Sequence, residues 1–339
     1  MEIQRYLFRL DMEINMKVDD NFFQDEERCG FRIESKMKRF WASEIEVLEE
    51  IRRVCKKHNI KWFADWGTML GAVRHKGFIP WDDDLDICML RDDWNRFAEV
   101  APKELDKWFE VSNLYNDVTQ DNCIMRVINN RHMCFEEEFL KKFHMCPFSA
   151  GIDVFPVDYI PRDREKDQQL VHLVKTLMTT AATVSEEPPY TQDDKDIVKM
   201  WENTLGVHIN WNNRLFHEMK KLVDIAMQQC EPVDADEVCY MMGRQSGQDY
   251  HIPKEYYDEW TEMPFEYTTV PVPKNYDYIL KLEYGDTYMT PENTVGGHDY
   301  PVYKEQEIAL KNVLEAEFNV KMELKDVQSL IDMKVFGAE

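Results

Sequence analysis

The chain has 339 residues, of which 65 are acidic and 41 are Lys or Arg, so its formal net charge is −24. This charge argues against nucleic-acid binding, which needs a surplus of Lys and Arg, and against electrostatic adhesion to anionic lipid. The hydrophobic content of 44% is too high for a disordered chain.

Compartment and thiol state can be predicted from two further features. Residues 1–20 lack the apolar stretch of a signal peptide, and no segment reaches about 18 consecutive apolar residues. We therefore expect a cytoplasmic protein with at most peripheral contact at the inner membrane face. The eight cysteines form no Cys-x-x-Cys pair, which favours reduced thiols. A zinc site made by Cys123, Cys134 and Cys146 stays open as an alternative.

Hydrophobic patterning divides the chain into three regions. Residues 1–40 are predicted to be an N-terminal extension, residues 41–160 a catalytic core, and residues 161–339 a helical, Pro- and aromatic-rich region on the acceptor side. Short strands are predicted at residues 60–63, 84–89, 109–111, 123–129 and 152–157, and helical segments at residues 162–180, 212–229 and 303–336. The fold class is therefore α+β, a mixed sheet with flanking helices.

The first helix of the core is indicated by apolar residues at helical spacing from Trp41 to Cys55. Ser43 and Glu46 have the spacing of a capping box near its start. A second, short helix is predicted directly after Gly67 and Thr68.

Acidic residues carry the strongest chemical signal. Four carboxylates lie within residues 82–86, and the alternation that follows predicts a strand from which Asp84 and Asp86 project on one face, about 6.5 Å apart. Paired oxygen ligands suit Mg²⁺ or Mn²⁺, whereas the alternative is a solvated acidic turn. Asp153 lies in a short apolar strand and needs a partner or a metal, which makes it a better third carboxylate than Asp158.

Donor-binding candidates lie just before this acidic run. Gly67 and Thr68 occupy a strand-to-helix turn, where free N–H groups bind phosphate. Arg74, His75 and Lys76 form a basic cluster that would attract an anionic donor in an acidic protein. An ordinary turn and a solvated loop are the alternative interpretations.

The segment that joins these candidates has a familiar pattern. Residues 67–86 strongly resemble the signature of the LicD family, which is similar to fukutin and fukutin-related protein within the nucleotidyltransferase-fold superfamily. Residues 152–158 resemble the second block of this family, and residues 272–277 and 282–291 resemble its C-terminal block. The resemblance covers about residues 41–298 and implies a nucleotidyltransferase-like sheet.

This resemblance implies a metal-dependent phosphotransferase. Such an enzyme moves a phospho-alcohol group, for example phosphocholine from CDP-choline, onto a glycan of the cell envelope and releases CMP. Asp84, Asp86 and Asp153 match the family's metal-binding carboxylates, and Gly67 with Thr68 matches its donor-binding element. A nucleotidyltransferase that adds NMP to a small molecule and an inactive scaffold remain alternatives.

Aromatic residues near the motifs are candidate contacts for a choline head or for the acceptor, since a quaternary ammonium binds aromatic faces. Core packing is the alternative for each of them. These candidates, together with one histidine, are Trp66, Trp81, Tyr284, Tyr288 and His298. The segment from Tyr250 to Tyr303 is expected to contact a glycan or lipid-linked glycan, or else to be a lid over the core.

Overall fold

The computed structural model describes residues 18–292 and 300–337. Its α-helices are α1 (Ser35–His58), α2 (Trp66–Arg74), α3 (Arg91–Glu104), α4 (Glu137–Lys142), α5 (Arg164–Ala181), α6 (Gln192–Leu205), α7 (Leu215–Met227), α8 (Met241–Gln245), α9 (Tyr276–Tyr284), α10 (Tyr303–Phe318) and α11 (Leu324–Phe336). Its strands are β1 (Glu26–Arg28), β2 (Phe31–Ile33), β3 (Phe63–Ala64), β4 (Leu85–Leu90), β5 (Glu110–Ser112), β6 (Met125–Ile128), β7 (Gly151–Pro161), β8 (Ala235–Cys239), β9 (Ile252–Pro253), β10 (Trp260–Phe265) and β11 (Thr268–Pro273). Within these ranges, every helix is too short or too polar to cross a membrane.

A seven-stranded mixed sheet positions the acidic strands near its centre, with β3, β4, β7, β6 and β5 side by side in that order. The neighbours β4 and β7 are parallel, whereas the other pairs in this order are antiparallel. The long strand β7 also pairs through its C-terminal half with β8, which in turn pairs with β9. The predicted α+β class is confirmed.

Buried apolar side chains form two clusters. The larger one joins α1 and the sheet to residues that follow position 230, so the two ends of the chain share one core. Phe78 illustrates this, because its ring stacks on Trp41 at 4.5 Å and contacts Phe265 at 4.9 Å. The smaller cluster lies mainly among α5, α6 and α7. Strands β8 and β9 of the main sheet also come from the predicted C-terminal region.

Helix α1 begins earlier than the sequence pattern indicated, at Ser35 instead of near Trp41. The predicted capping box is wrong, since Ser43 and Glu46 both lie inside the helix. Ser43 is buried, and its hydroxyl accepts a hydrogen bond from the Asn129 amide at 3.0 Å. The early start was hidden because charged residues occupy the first turn.

The helical regions after residue 161 differ from the prediction, which missed α6, α8 and α9 and gave one helical segment where there are two helices. Helix α6 was missed because its buried stripe is narrow, with Val198 and Trp201 as its buried apolar side chains. The predicted helical segment 303–336 consists of two helices, α10 and α11. Helix α10 ends at Phe318, and the next residue, Asn319, has a left-handed φ of 51°. The other predicted strands and helices are present with boundaries shifted by a few residues.

Candidate functional site

A pocket of about 410 Å³ lies between the start of α2, the loop that leads into β4, and the segment around the end of α9. It collects most of the side chains that the sequence singled out. The predicted residues that line it are Trp66, Gly67, Arg74, Trp81, Asp84, Asp86, Tyr284 and Tyr288. We call this cavity the carboxylate pocket. The chain therefore brings two stretches, about 200 residues apart in sequence, to one place.

The predicted carboxylates lie in a row across the central strands. Asp86 of β4 is in register with Asp153 of β7, and Asp153 is in register with Arg126 of β6. The Arg126 Nε lies 3.3 Å from Asp153 Oδ1, so this guanidinium is the near counter-charge of Asp153. Asp153 does not line the carboxylate pocket itself.

The titration of these carboxylates reflects crowding. Burial and the neighbouring Asp84 raise the pKa of Asp82 to about 8. Burial, Asp84 and Asp153 raise the pKa of Asp86 well above its usual range. Burial also raises the pKa of Asp153, although the Arg126 guanidinium opposes this change. Without a further counter-charge the group retains protons near neutral pH, because ionising every member is unfavourable.

The same crowding suits a divalent cation. Carboxylate oxygens of Asp82, Asp83 and Asp84 lie within 4.8 Å of one another, and hard oxygen ligands are what Mg²⁺ and Mn²⁺ prefer. Asp83 Oδ2 also accepts a 2.6 Å hydrogen bond from the backbone N–H of Val302, which ties this carboxylate to the start of α10. Asp86 and Asp153 are not part of that close group. The residues present therefore fit a cation beside Asp84, and the predicted ligand set Asp84, Asp86 and Asp153 remains a prediction.

Gly67 and Thr68 lie in the first turn of α2, which begins at Trp66, and not in a turn that precedes the helix as predicted; from there they support the acidic strand. The Thr68 hydroxyl accepts a hydrogen bond from the backbone N–H of Asp86 at 2.8 Å, and the Thr68 side chain is buried. A Cβ atom at Gly67 would come within 2.6 Å of Asp82 Oδ2, so the glycine permits the close approach of that carboxylate. The Thr68 hydroxyl thus holds the backbone of β4 in position at Asp86, and Gly67 forms part of the pocket wall.

The predicted basic cluster is divided by the fold. Arg74 lines the carboxylate pocket, donates from Nη1 to the carbonyl of Tyr288 at 2.6 Å and from Nε to His75 Nε2 at 2.8 Å. Burial and the nearby Arg74 lower the pKa of His75 to about 4, which leaves its ring neutral and able to accept that bond. Lys76 is exposed and does not line the pocket.

The aromatic candidates have unequal access to the pocket. Trp66 has a φ of 41°, a rare conformation for a bulky residue, which starts α2 with the indole beside the pocket. Tyr284 is 40% exposed at the pocket edge. Trp81 is mostly buried, and the Tyr288 hydroxyl donates to Asp277 at 2.9 Å. His298 lies outside the described residues.

Three residues were missed by the sequence analysis. Asp82 lines the pocket, although the strand alternation had singled out only Asp84 and Asp86. Arg126 was missed because its role depends on strand register. Glu44 is 1% exposed, and burial with the nearby Asp84 raises its pKa well above its usual range. Its position three residues after Trp41 would have placed it on the buried face of α1.

The cysteines play no part in this site. All eight thiols are free, as predicted. Over residues 18–292 and 300–337, the group of close ligand atoms that could hold a metal consists of aspartates, so the alternative zinc site at Cys123, Cys134 and Cys146 is wrong.

The part of the chain that carries this site is similar to known proteins. Residues 59–172 match the family model described as LicD/FKTN/FKRP, nucleotidyltransferase domain. This range runs from just before β3 into α5 and includes Asp84, Asp86 and Asp153. The resemblance to the LicD family that the sequence motifs indicated is confirmed.

Individual relatives agree with this match. The lipopolysaccharide cholinephosphotransferase LicD of Haemophilus influenzae is 26% identical over 259 residues, which cover 73% of this chain and 89% of that protein. An uncharacterized protein of Rickettsia typhi is 37% identical over 76 residues, 21% of this chain and 25% of its own length. An uncharacterized protein of Rickettsia prowazekii is 37% identical over 79 residues, 23% of this chain and 29% of its own length.

Proposed function

We propose that this protein, whose residues 59–172 match the LicD-type nucleotidyltransferase domain, transfers a phosphocholine-like group from a CDP-activated donor to a glycan and releases CMP. The similarity to a protein named as a lipopolysaccharide cholinephosphotransferase, which spans most of both chains, supports the transferred group and the acceptor class.

The observation that carries this proposal is the composition of the carboxylate pocket. One cavity of about 410 Å³ is lined by four carboxylates, Asp82, Asp84, Asp86 and Glu292, by one arginine, and by aromatic side chains that include Trp66 and Tyr284. A CDP-choline donor has matching parts: a pyrophosphate that needs cations, and a quaternary ammonium that binds aromatic faces and acidic groups. The cavity volume lies in the range of ordinary small-molecule sites.

The proposed reaction is a displacement at phosphorus. A hydroxyl oxygen of the glycan bonds to the phosphorus of the phosphocholine group, and the bond from that phosphorus to the bridging oxygen breaks. CMP leaves with the bridging oxygen and its electron pair. The hydroxyl proton passes to a carboxylate, for which we propose Asp153, since burial and the nearby Asp84 raise its pKa and it lies in register with Asp86 on the neighbouring strand.

The chain's own residues would orient the donor. Arg74 is held by the Tyr288 carbonyl and by His75 through Nη1 and Nε, so its Nη2 is directed by those bonds and is the proposed phosphate contact. Thr68 holds the backbone of Asp86 in place. Mg²⁺ or Mn²⁺ bound at the aspartates would neutralise charge on the pyrophosphate.

A donor screen tests this proposal directly. Purified protein with Mg²⁺ is incubated with CDP-choline, CDP-ribitol, CDP-glycerol and CDP-ethanolamine, and CMP is measured by chromatography with lipopolysaccharide as acceptor. We expect CMP release to be fastest with CDP-choline and to be lost in Asp84→Asn. Asp193→Asn, at an exposed position in α6, is the matched control and should keep full activity.

Product analysis separates the proposal from its competitor. Mass spectrometry of the acceptor should show an added phosphocholine. An added nucleotide with release of pyrophosphate would instead identify a nucleotidyltransferase. CMP release that is equal in Asp84→Asn and in the wild type would refute the assigned site.

A further inference from the structure

A second cavity meets the carboxylate pocket at Asp84. It has a volume of about 780 Å³ and lies between α10 on one side and β6 with the loop that follows it on the other. Asp84 lines both cavities, and Asp83 and Glu44 lie at the floor of the second one. We call this second cavity the α10 groove.

The position of α10 gives the groove a direction. The backbone N–H of Val302 donates to Asp83, so α10 starts at the acidic cluster and runs away from it. With a rise of about 1.5 Å per residue, Ala309 lies about 10 Å and Val313 about 16 Å along the helix from Val302. Residues farther along α10 therefore lie farther from the acidic cluster.

The wall of the groove changes from polar to apolar along this direction. Near the acidic cluster α10 presents Glu305 and Gln306, and farther away it presents Ala309, Leu310 and Val313. The opposite wall has the same two kinds of residue. Its polar members include Asp117, Arg126, Arg131 and His132, and its apolar members include Ile128, Met133 and Phe135.

Exposed apolar side chains are also found toward the C-terminal end of α10. Val313 is 58% exposed, Phe318 at the end of α10 is 63% exposed, and Val320 just after it is 47% exposed. A run of large exposed apolar side chains on one helix end is unusual for a surface that contacts only water.

The inner end of the groove has a carboxyl oxygen whose hydrogen-bonding capacity is unused. Glu44 is 1% exposed, and its Oε2 has no hydrogen-bond partner among the described residues. Buried polar atoms in native proteins are normally satisfied, so an unused carboxyl oxygen that lines a cavity indicates a bound hydroxyl or a water molecule.

From these observations we propose that the α10 groove binds the acceptor, with a sugar hydroxyl at Asp84 and Glu44 and an apolar chain along Ala309, Leu310 and Val313. This inference rests on the proposed function, because it assigns the second substrate of the same reaction. Displacement at phosphorus needs the incoming oxygen and the leaving group roughly in line, and two cavities that meet at Asp84 provide two approaches to one centre.

The groove also changes the expected place of the acceptor. The sequence predicted the acceptor side within the segment from Tyr250 to Tyr303. From that segment, only Val302 lines the α10 groove among the described residues. The carboxylate pocket is lined by several of its residues, which include Tyr284, Thr287 and Tyr288. The aromatic segment is therefore assigned to the donor, and α10 to the acceptor.

The experiment compares two glycosides that differ only in chain length. Binding of methyl and octyl β-D-glucopyranoside, the latter below its micellar concentration, is measured by calorimetry on the full chain. We expect the octyl glycoside to bind about 10-fold more tightly, because methylene groups leave water. Ala309→Trp, which fills the groove, should remove this difference. Ile308→Trp should retain it, since Ile308 is the exposed neighbour on α10 that does not line the groove.

CMP release from CDP-choline in water, without glycan, is the second readout. Ile308→Trp should keep the wild-type rate of this donor hydrolysis, since Ile308 lines neither cavity. Equal binding of the two glycosides, or equal loss in both variants, would overturn the groove assignment while donor hydrolysis still supported the proposed function. Absence of CMP release in the wild type with every CDP donor and lipopolysaccharide as acceptor would instead refute the proposed function.

Discussion

Strand β7 carries two acidic residues that differ in burial and in counter-charge. Asp153, in its first half, lies beside Asp86 and has the half-exposed Arg126 at 3.3 Å. Asp158, in its second half, is 1% exposed and is bound by the buried Arg91 at 2.6 Å. Arg91 also binds Asp224 at 3.0 Å, and the Tyr115 hydroxyl donates to Asp224 at 2.6 Å.

This contrast distinguishes a structural site from a chemical one. At the Arg91 site a cation from the chain itself lies between two carboxylates, and burial raises the pKa of Asp158 only to about 6 because Arg91 opposes the change. At the Asp86 site carboxylates neighbour one another, and the pKa of Asp86 is raised well above its usual range. A buried ion pair within the chain is costly to break and belongs to the fold, whereas crowded carboxylates at a pocket are suited to bind an external cation.

The largest expected effect is on activity at the crowded site. Asp86→Asn should lower CMP release about 1,000-fold, equivalent to about 4 kcal/mol of transition-state stabilisation, because a charged ligand of the proposed cation is lost. The free energy of unfolding in urea should change by less than about 1 kcal/mol, since the crowded carboxylates make the charge of Asp86 unfavourable to the folded chain. A large loss of stability would place Asp86 with the structural carboxylates.

The Arg91 site should respond in the opposite way. Arg91→Met leaves Asp158 and Asp224 buried without their cation and should reduce the free energy of unfolding by about 3–5 kcal/mol. At a temperature where the variant remains folded, its KM for CDP-choline should match the wild type. Arg96→Met, an exposed arginine on the same helix, is the control and should change stability by less than about 1 kcal/mol. A selective rise in KM would mean that the two sites are coupled.

The pH dependence of cation binding would sharpen the comparison further. The pKa of Asp82 is raised to about 8, so below this pH a proton must leave before Mn²⁺ can bind there. Mn²⁺ affinity measured by calorimetry should therefore fall about 10-fold per pH unit between pH 8 and pH 6 for each proton displaced. Affinity independent of pH in this window would argue against Asp82 as a ligand.

The free energy of unfolding should also depend on pH when no cation is added. The folded pKa of Asp82 is above its unfolded value near 4, so the folded chain binds more protons between these values. The contribution of this carboxyl is present below about pH 4 and is lost as the pH rises through about 8. Excess Mn²⁺ should restore stability at pH 8, and Asp82→Asn should remove that response.

The smallest expected effect concerns the donor head group. Tyr284→Leu should raise KM for CDP-choline about 5-fold relative to CDP-glycerol, since a cation–π contact at a partly exposed ring contributes about 1 kcal/mol. Tyr278→Leu is the control, because Tyr278 is similarly exposed on α9 but does not line the pocket. An equal rise in KM for both donors would show that Tyr284 does not contact the choline group.

The sequence by itself determined the local elements of this site. The acidic run at residues 82–86, the strand that follows it and the helix after Gly67 depend on residues that are neighbours in the chain, so their periodicity is readable. Residues 67–86 also indicated the resemblance to the LicD family, because the whole motif is continuous in the chain. Helix α1 was predicted from its apolar periodicity, although its charged first turn concealed the start.

Only the tertiary structure decided which acidic residues meet and what faces them. The parallel register of β4 and β7 places Asp86 next to Asp153. Packing of α3 on the sheet brings Arg91 to Asp158 of β7. Tyr284 reaches the pocket, and α10 reaches Asp83, from segments about 200 residues later in the chain. Periodicity carries no information on such pairings, because register and counter-charge depend on packing between residues far apart in sequence.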